Sequence, residues 1–316
     1  METIQELRQR YELNRKPKEP ELLLFEGVNG RDVYNCSVPF EEEGKTYILG
    51  RVERRNEWTN SIVLLFEKHP DGKWYRVDSF DALPLEDPFC VRINGETVVG
   101  GTHVVKERGA LKTYYTYFYR GRSIFDLRYF TTGPDYMKDI RLVQLPSERV
   151  GVFSRPRSEE ILRTYGCESQ VGFTVLDSLN ELDSHTVDSA QYIGGLFAKD
   201  EWGGINQALY LGGGLVGGIG HQCYKEACDP EAKMVYLNTA YVFDIRKHSL
   251  VQKKVIGQRA DYPRAASKAP ALADCAFTSG IVVESGRYAL YSGLGDTSEG
   301  KIVIGDPFAA ELPAAL

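Results

Sequence analysis

One pattern recurs along the chain and limits what it can become: a tight turn, an apolar strand, and a polar or chargeable residue where the strand ends. It is present in "EEGKTYILGRVE", "INGETVVGGTHV", "PSERVGVFSRPR", "NQALYLGGGLVGGIGHQ" and "ESGRYALYSGLGDT". The closing residues are Arg51, His103, Arg155, His221 and Asp296, at intervals of 52, 52, 66 and 75 positions. A repeat of roughly 50 to 70 residues built only from strands has the size of a four-stranded propeller blade with decorated loops. Five units predict an all-β protein, a five-bladed β-propeller forming one domain over residues 1–316, with a short N-terminal helix in an extension over residues 1–20. In that architecture the inner strands converge on one axis, and the residues closing them face a single central pocket. A β-sandwich would also supply turn–strand pairs; a chargeable residue closing every unit favours the propeller.

Local signals agree. Helical periodicity is confined to the first dozen residues and to "RSEEILRTYG", while 19 Tyr, 14 Phe and many β-branched residues fill the remainder. "HPDGKW" and "RINGET" are hairpin turns, because Gly and Asn accept the positive φ that two-residue turns require. In "KTYYTYFYRG" the tyrosines Tyr114, Tyr115, Tyr117 and Tyr119 are expected mostly in the core. "LGGGLVGGIGH" lacks the Lys-Ser/Thr of a phosphate-binding loop and reads as a tightly packed inner strand whose glycines let backbone and a ligand approach.

The net charge of −6 argues against a nucleic-acid partner, since phosphate backbones are bound by concentrated positive charge. No run of 18 apolar residues appears, and the N-terminus is charged and helix-like, so neither a membrane span nor a secretory signal is expected and the predicted location is cytoplasmic. Six cysteines, Cys36, Cys90, Cys167, Cys223, Cys228 and Cys275, lie far apart without a CxxC pair or His at ligand spacing. Free thiols in a reducing compartment, and no metal, are expected.

The chemistry-bearing stretch is "LPLEDPF". Pro88 restricts Asp87 to extended conformations and so aims its side chain, and the adjacent Glu86 gives Asp87 reason for a raised pKa, as a general acid at neutral pH requires. Lys138 and Asp139 precede another apolar strand, closed by Arg155 and Arg157; Asn35 precedes a strand pair that ends in Arg51. Each blade thus offers one polar group on its first strand and one on its second. Carboxylates bind pairs of sugar hydroxyls, while Arg and Lys bind phosphate. Arg259, Asp261, Arg264 and Lys268 form a polar connector before the last unit, with donor-phosphate contact as the alternative. Trp202 is a candidate for sugar stacking or for packing between blades.

Taken in order, "NCSVPFEEEGKTYILGRVE", "LPLEDPF", "KDIRLVQLPSERVGVFSRP", "LVGGIGHQ" and "CAFTSGIVVESGRYALYSGLGDT" resemble the successive blade motifs of glycoside hydrolase family 130, the mannosyl phosphorylases, over residues 32 to 304. More narrowly the chain resembles the trypanosomatid mannosyltransferase/phosphorylases of β-1,2-mannan. The resemblance implies an inverting reaction in which Asp87, the catalytic acid, protonates the glycosidic oxygen through a hydroxyl of the bound mannose while phosphate attacks the opposite face. It places Lys138, Arg155 and His221 at the phosphate, and Asn35, Arg51, Asp139 and Asp296 around the sugar, with Glu86 and His103 as further substrate-binding candidates. The expected partners are a β-mannooligosaccharide with phosphate or a nucleotide sugar, GDP-mannose, as co-substrate and no other cofactor. Two positions depart from the family pattern: Phe89 where Arg is usual, and Ser154 where His is usual, both removing potential phosphate ligands. Two other functions compete: a hydrolase, which needs a second carboxylate about 6.5 to 9.5 Å from the acid, and a sugar-binding propeller without catalysis.

Overall fold

The computed structural model describes residues 2–16, 18–226 and 233–310. Its strands form five sheets, antiparallel except for one pair at the ring closure, a five-bladed β-propeller. Blade I contains Asp32–Tyr34 and Phe40–Glu42, both paired with Lys45–Glu53, then Ile62–Lys68 and Trp74–Arg76. Blade II runs Glu86–Ile93, Glu96–Glu107, Ala110–Gly121 and Arg128–Thr132. Blade III is Arg141–Gln144, Val150–Ser154, Gly172–Leu176 and Gln191–Tyr192, and blade IV is Trp202–Gly212, Leu215–Lys225, Met234–Asp244 and Ser249–Gly257. Ala276–Glu284, Arg287–Leu294 and Ser298–Ile304 make blade V.

The ring is closed by the start of the chain. Glu21–Leu22 adds a fourth strand to blade V by pairing with Lys301 and Gly300, and Phe25–Glu26 pairs in parallel with Trp74–Arg76 of blade I. Residues on either side of the closure therefore belong to the first and last blades at once.

Alternation along each strand sends apolar side chains to both faces, because a blade is covered on each side by a neighbour. The core is accordingly a set of inter-blade wedges. Phe153, Phe173, Ile205 and Phe243 join blades III and IV, with Phe153 at 4.7 Å from Phe173 and 5.2 Å from Phe243. Ile48 and Phe66 meet Ala289 and Tyr291 between blades I and V. The hairpin turn of "RINGET" has Asn94 and Gly95 at φ 51° and 82°, as its sequence predicts.

Ile4–Leu13 is a helix, started by a capping box between Thr3 and Glu6 and docked through Ile4 and Leu7; a second helix, Glu159–Tyr165, occupies the other helical stretch. Among the described residues no helix is long and apolar enough to cross a membrane. The five described cysteines are free thiols; Cys228 lies outside the described residues.

Two expectations are corrected. Tyr114, Tyr115, Tyr117 and Tyr119 are only half-buried, since the fully buried positions of that strand are Thr116 and Phe118. The glycine run is the second strand of blade IV, after a turn at Gly212, Gly213 and Gly214, and its glycines serve close packing of strands: a Cβ on Gly220 would lie 2.1 Å from the carbonyl oxygen of Gly204.

Candidate active site

The inner strands deliver their side chains to the axis by leaving the regular ladder at one point each. Blade I's inner strand breaks after Tyr34, and the register slips between Glu86 and Phe89, between Ile205 and Gln207, and between Thr278 and Gly280. Asn35, Asp87 and Asp139, 52 positions apart, have φ of 46°, 50° and 60°, which corrects the extended conformation expected of Asp87 before Pro88: the irregularity in the ladder between Glu86 and Phe89 turns its backbone left-handed instead. Asn and Asp tolerate this left-handed conformation better than other residues with a Cβ. The bulge re-aims the side chain, so the type of residue at these positions follows from backbone shape as well as from chemistry.

Around Asp87 the polar groups are dense. Its Oδ1 accepts from Asn35 Nδ2 at 2.9 Å and from Arg51 Nη1 at 3.0 Å, leaving Oδ2 without a hydrogen bond. Arg51 Nη2 lies 3.1 Å from Glu86 Oε1 and 3.6 Å from Glu53 Oε2, so one guanidinium serves three carboxylates. It is fixed by donation from Nε to Ser61 Oγ at 2.8 Å and by the Tyr34 ring, 4.9 Å away. The expected raised pKa falls on the other member of the acidic pair. Burial pushes Glu86 up, with Arg51 opposing, whereas at Asp87 the effect of burial is outweighed by Arg51 and Lys138, which hold it below the usual carboxylate range.

Asn35 is positioned from across the ring closure. Glu299 of blade V, fully buried, accepts from Cys36 N–H at 3.1 Å and from Ser279 Oγ at 2.7 Å, and burial pushes its carboxyl up to about 7. Gly293 of the same blade lies so close that a Cβ would stand 1.9 Å from Asn35 Oδ1.

Blades III and IV supply the positive side. Arg155 donates Nε to Gly203 O at 2.9 Å and places Nη1 3.3 Å from Asp139 Oδ2. Lys138 forms no hydrogen bond or ion pair with the described residues, which leaves its ammonium available to a ligand anion. For Asp139, burial raises the carboxyl but Arg155, followed by His221, Lys138 and Arg141, brings it to about 2. Burial takes His221 down to about 3, so it is neutral at pH 7; its Nδ1 bonds Asn206 Oδ1 at 2.7 Å. Arg157 pairs with Glu168 at the outer edge.

These groups line one cavity of about 110 Å³ that also touches Trp202, Tyr236 and Phe277. Both oxygens of Asp139 and Asn35 Oδ1 are buried at this cavity without hydrogen-bond partners, and Asn206 Nδ2, behind His221 and outside the lining, is likewise unpartnered. Orphaned buried acceptors are what a polyhydroxyl ligand would satisfy.

Eight of the ten anticipated site residues, Asn35, Arg51, Asp87, Lys138, Asp139, Arg155, His221 and Asp296, line this cavity. Burial raises Asp296, with Arg51 opposing. Glu86 contacts Arg51 but opens onto an adjoining cavity. His103 is a correction: it belongs to that adjoining cavity, with Nδ1 on Pro84 O at 2.8 Å and its ring stacked 4.3 Å from Tyr117. The ladder pairs Tyr34 with Arg51 but Glu86 with Thr102, and a one-residue offset turns a strand side chain to the other face.

The two departures from the family pattern are also relocated. Phe89 is buried between blades II and III, 6.3 Å from Phe118 and 4.7 Å from the Arg141 guanidinium, and Ser154 faces Gly172 inside blade III. Neither lines the central cavity. In the connector, Asp261 anchors the N-terminal segment through Tyr11 and Arg15. Lys268 is buried on Glu53, with its ammonium 4.6 Å from the Trp58 ring, and Arg259 donates to the carbonyls of Pro263 and Ala265. Trp202 is buried edge-on to Tyr236 at 5.9 Å. Sequence reasoning missed Arg141, Asn206, Tyr236 and Glu299; of these only Asn206 carried a signal, as the polar residue opening the fourth unit.

The sequence profile of a family described as "protein of unknown function (DUF1861)" matches residues 9–310. No curated protein sequence matches the chain. Among solved structures, MPT-4, a mannose phosphorylase from Leishmania mexicana in complex with phosphate ion, is 44% identical over 96% of this chain and 93% of that one, with a TM-score of 0.89. MPT-1, a GDP-Man-dependent mannosyltransferase from the same organism, is 41% identical over 97% and 95% of the two chains, with a TM-score of 0.88. A β-1,2-mannobiose phosphorylase from Listeria innocua, 12% identical over 93% of both chains at a TM-score of 0.61, shares the fold. The chain belongs to the DUF1861 family and to the group of mannose phosphorylases and mannosyltransferases that includes the two Leishmania mexicana proteins.

Proposed function

We propose that this protein is an inverting mannosyl-transfer enzyme that moves a mannosyl unit between a β-1,2-linked mannoside and phosphate, with Asp87 as the group that gives or takes the proton. One observation carries this: Asp87, gripped by Arg51 and Asn35, shares a single small cavity with Lys138 and Arg155, in a chain 44% identical to a phosphate-bound mannose phosphorylase. In phosphorolysis the bond from the mannose anomeric carbon to the leaving oxygen breaks and a phosphate oxygen bonds that carbon from the opposite face. The proton passes from the Asp87 carboxyl, through a mannose hydroxyl, to the leaving oxygen. Because phosphate is the nucleophile, no second protein carboxylate is required as base.

The depressed pKa of Asp87 fits a reaction that assembles its own acid. Phosphate seated on Lys138 and Arg155 adds negative charge next to the cations that hold Asp87 ionised, and so favours its protonated form. Without that anion Asp87 is a carboxylate, ready to take the proton from an acceptor hydroxyl in the synthetic direction. This favours a second donor as well, GDP-mannose, whose phosphates would use the same cations; the 41% identity to a GDP-Man-dependent mannosyltransferase supports it. The free thiols fit a cytoplasmic setting.

The test is to incubate the protein with β-1,2-mannobiose with and without phosphate, and with an acceptor plus GDP-mannose, following the anomeric products by NMR. Phosphate-dependent α-mannose 1-phosphate supports phosphorolysis and chain extension from GDP-mannose supports transfer. Free mannose alone would make the protein a hydrolase, and silence in every mixture refutes the assignment.

A further inference from the structure

Between blades I and II, adjoining the central site, is a cavity of about 550 Å³ lined by Glu53, Glu57, Asn60, Ser61, Glu86 and His103. It falls within the range of about 300 to 1,000 Å³ usual for small-molecule sites, which the central cavity does not reach. Arg51 forms the partition: it faces the central cavity while holding Ser61 at 2.8 Å and standing 3.1 Å from Glu86 Oε1, an oxygen that is buried and accepts no hydrogen bond. We propose that this cavity holds the non-reacting mannosyl residues of the oligosaccharide, which enter the central site past Glu86; the proposal rests on the mannosyl-transfer function above.

Three observations converge. Inversion requires the leaving oxygen to depart opposite the entering phosphate; the phosphate cations Lys138 and Arg155 come from the blade III side, whereas Asp87, on blade II, is held by Asn35 and Arg51 of blade I. The cavity's charges favour a neutral ligand over an anionic one: three carboxylates, Glu53, Glu57 and Glu86, face two cations, Arg31 and Arg54, and Arg54 lies 3.3 Å from Glu57. The groups left over are those a sugar uses. His103, with Nδ1 engaged on Pro84 O, keeps Nε2 for a hydroxyl, and Asn60, whose Oδ1 accepts from Lys106 at 2.7 Å, keeps its amide N–H groups. Glu86 Oε1 awaits a donor.

The experiment compares kcat/KM for phosphorolysis of β-1,2-mannobiose, mannotriose and mannotetraose by the wild type and by His103→Ala and Asn60→Ala, changes at a half-buried and an exposed residue, with thermal melts to establish folding. The tetraose-over-biose preference should fall about tenfold in each variant. In parallel, calorimetric titration of mannotetraose into Asp87→Asn and into Asp87→Asn/His103→Ala reads binding without turnover, and the second should bind about tenfold more weakly. An unchanged chain-length profile in an active enzyme, with unchanged tetraose affinity, overturns the cavity assignment and leaves the function standing. If the wild type turns over no mannoside but tetraose binds and His103→Ala weakens it, the function falls and the cavity stands as a carbohydrate site. Weakened binding of GDP-mannose with tetraose unaffected would make the cavity a nucleotide site and refute the proposal.

Discussion

Replacing Asp87 by Asn is the sharpest perturbation available, because the structure separates its effect on chemistry from its effect on the fold. The Asn side chain keeps an oxygen where Oδ1 accepts from Asn35 at 2.9 Å and Arg51 at 3.0 Å, and Arg51 retains Glu86 and Glu53 as counter-charges. The backbone at φ 50° also tolerates Asn, whereas Ala there would add about 1–2 kcal/mol of strain. The fold should therefore lose little: a melting shift within about 2 °C, the equivalent of about 1 kcal/mol in a chain of 316 residues. What is lost is the proton. Removing a positioned acid costs about 10²- to 10⁴-fold in rate, or about 3 to 5 kcal/mol at 1.36 kcal/mol per decade. The assay is phosphate-dependent release of α-mannose 1-phosphate from β-1,2-mannobiose, with the reverse synthesis measured on the same preparation. Both directions should fall together, since the same group gives and takes the proton. Asp87→Asn retaining more than a tenth of wild-type kcat in either direction would refute the assignment of Asp87, and a collapse in melting temperature would refute the account of its backbone.

Lys138→Ala should raise the KM for phosphate at least tenfold while leaving the melting temperature within about 2 °C, because among the described residues the ammonium has no hydrogen-bond or ion-pair partner to strand; equal phosphate KM values would remove Lys138 from the anion site. Phe89→Arg, which restores the usual family residue, should fail to improve phosphate affinity and should destabilise by about 3 kcal/mol, since it buries a second guanidinium beside Arg141 in place of a packed ring; a chemical-denaturation curve and the phosphate KM decide it. Glu299 sets a pH test: its folded pKa of about 7 lies above the ordinary carboxylate value, so the folded state holds the extra proton and stability falls as pH rises from about 4.5 through 7. Glu299→Gln should flatten that fall, so the wild-type melting temperature should drop more between pH 5 and pH 8 than the variant's; parallel curves would show that Glu299 does not titrate in this window.

The fold was legible because propeller blades impose a period, and residues with left-handed backbone at the ends or bulges of the inner strands keep it: Asn35, Asp87 and Asp139 recur every 52 positions. The same period misled at His103. Whether a residue faces the axis is set by the ladder register, and blade II pairs Thr102, one residue before His103, with Glu86. Phe89 misled for a related reason, because position in a motif does not reveal which side of the strand a residue occupies after a bulge. The direction of the pKa shift at Asp87 was hidden too, since the desolvation visible in an acidic pair next to an apolar strand is countered by cations from blades I and III, and only the closed ring brings them near. Glu299 left no local signal, because its partner is the backbone of Cys36, 263 positions away.

The closure of the ring bears on when this site comes into being during synthesis. Asn35 and Arg51 emerge early from the ribosome, yet Asn35 is propped by Glu299, and the strand beside Glu299 is completed by Glu21–Leu22 from the beginning of the chain. A nascent chain that has not yet emerged as far as Glu299 would hold most of the charged groups without the geometry that makes them a site. The site should therefore form in one step, when the strand carrying Glu299 pairs with Glu21–Leu22 and closes the ring.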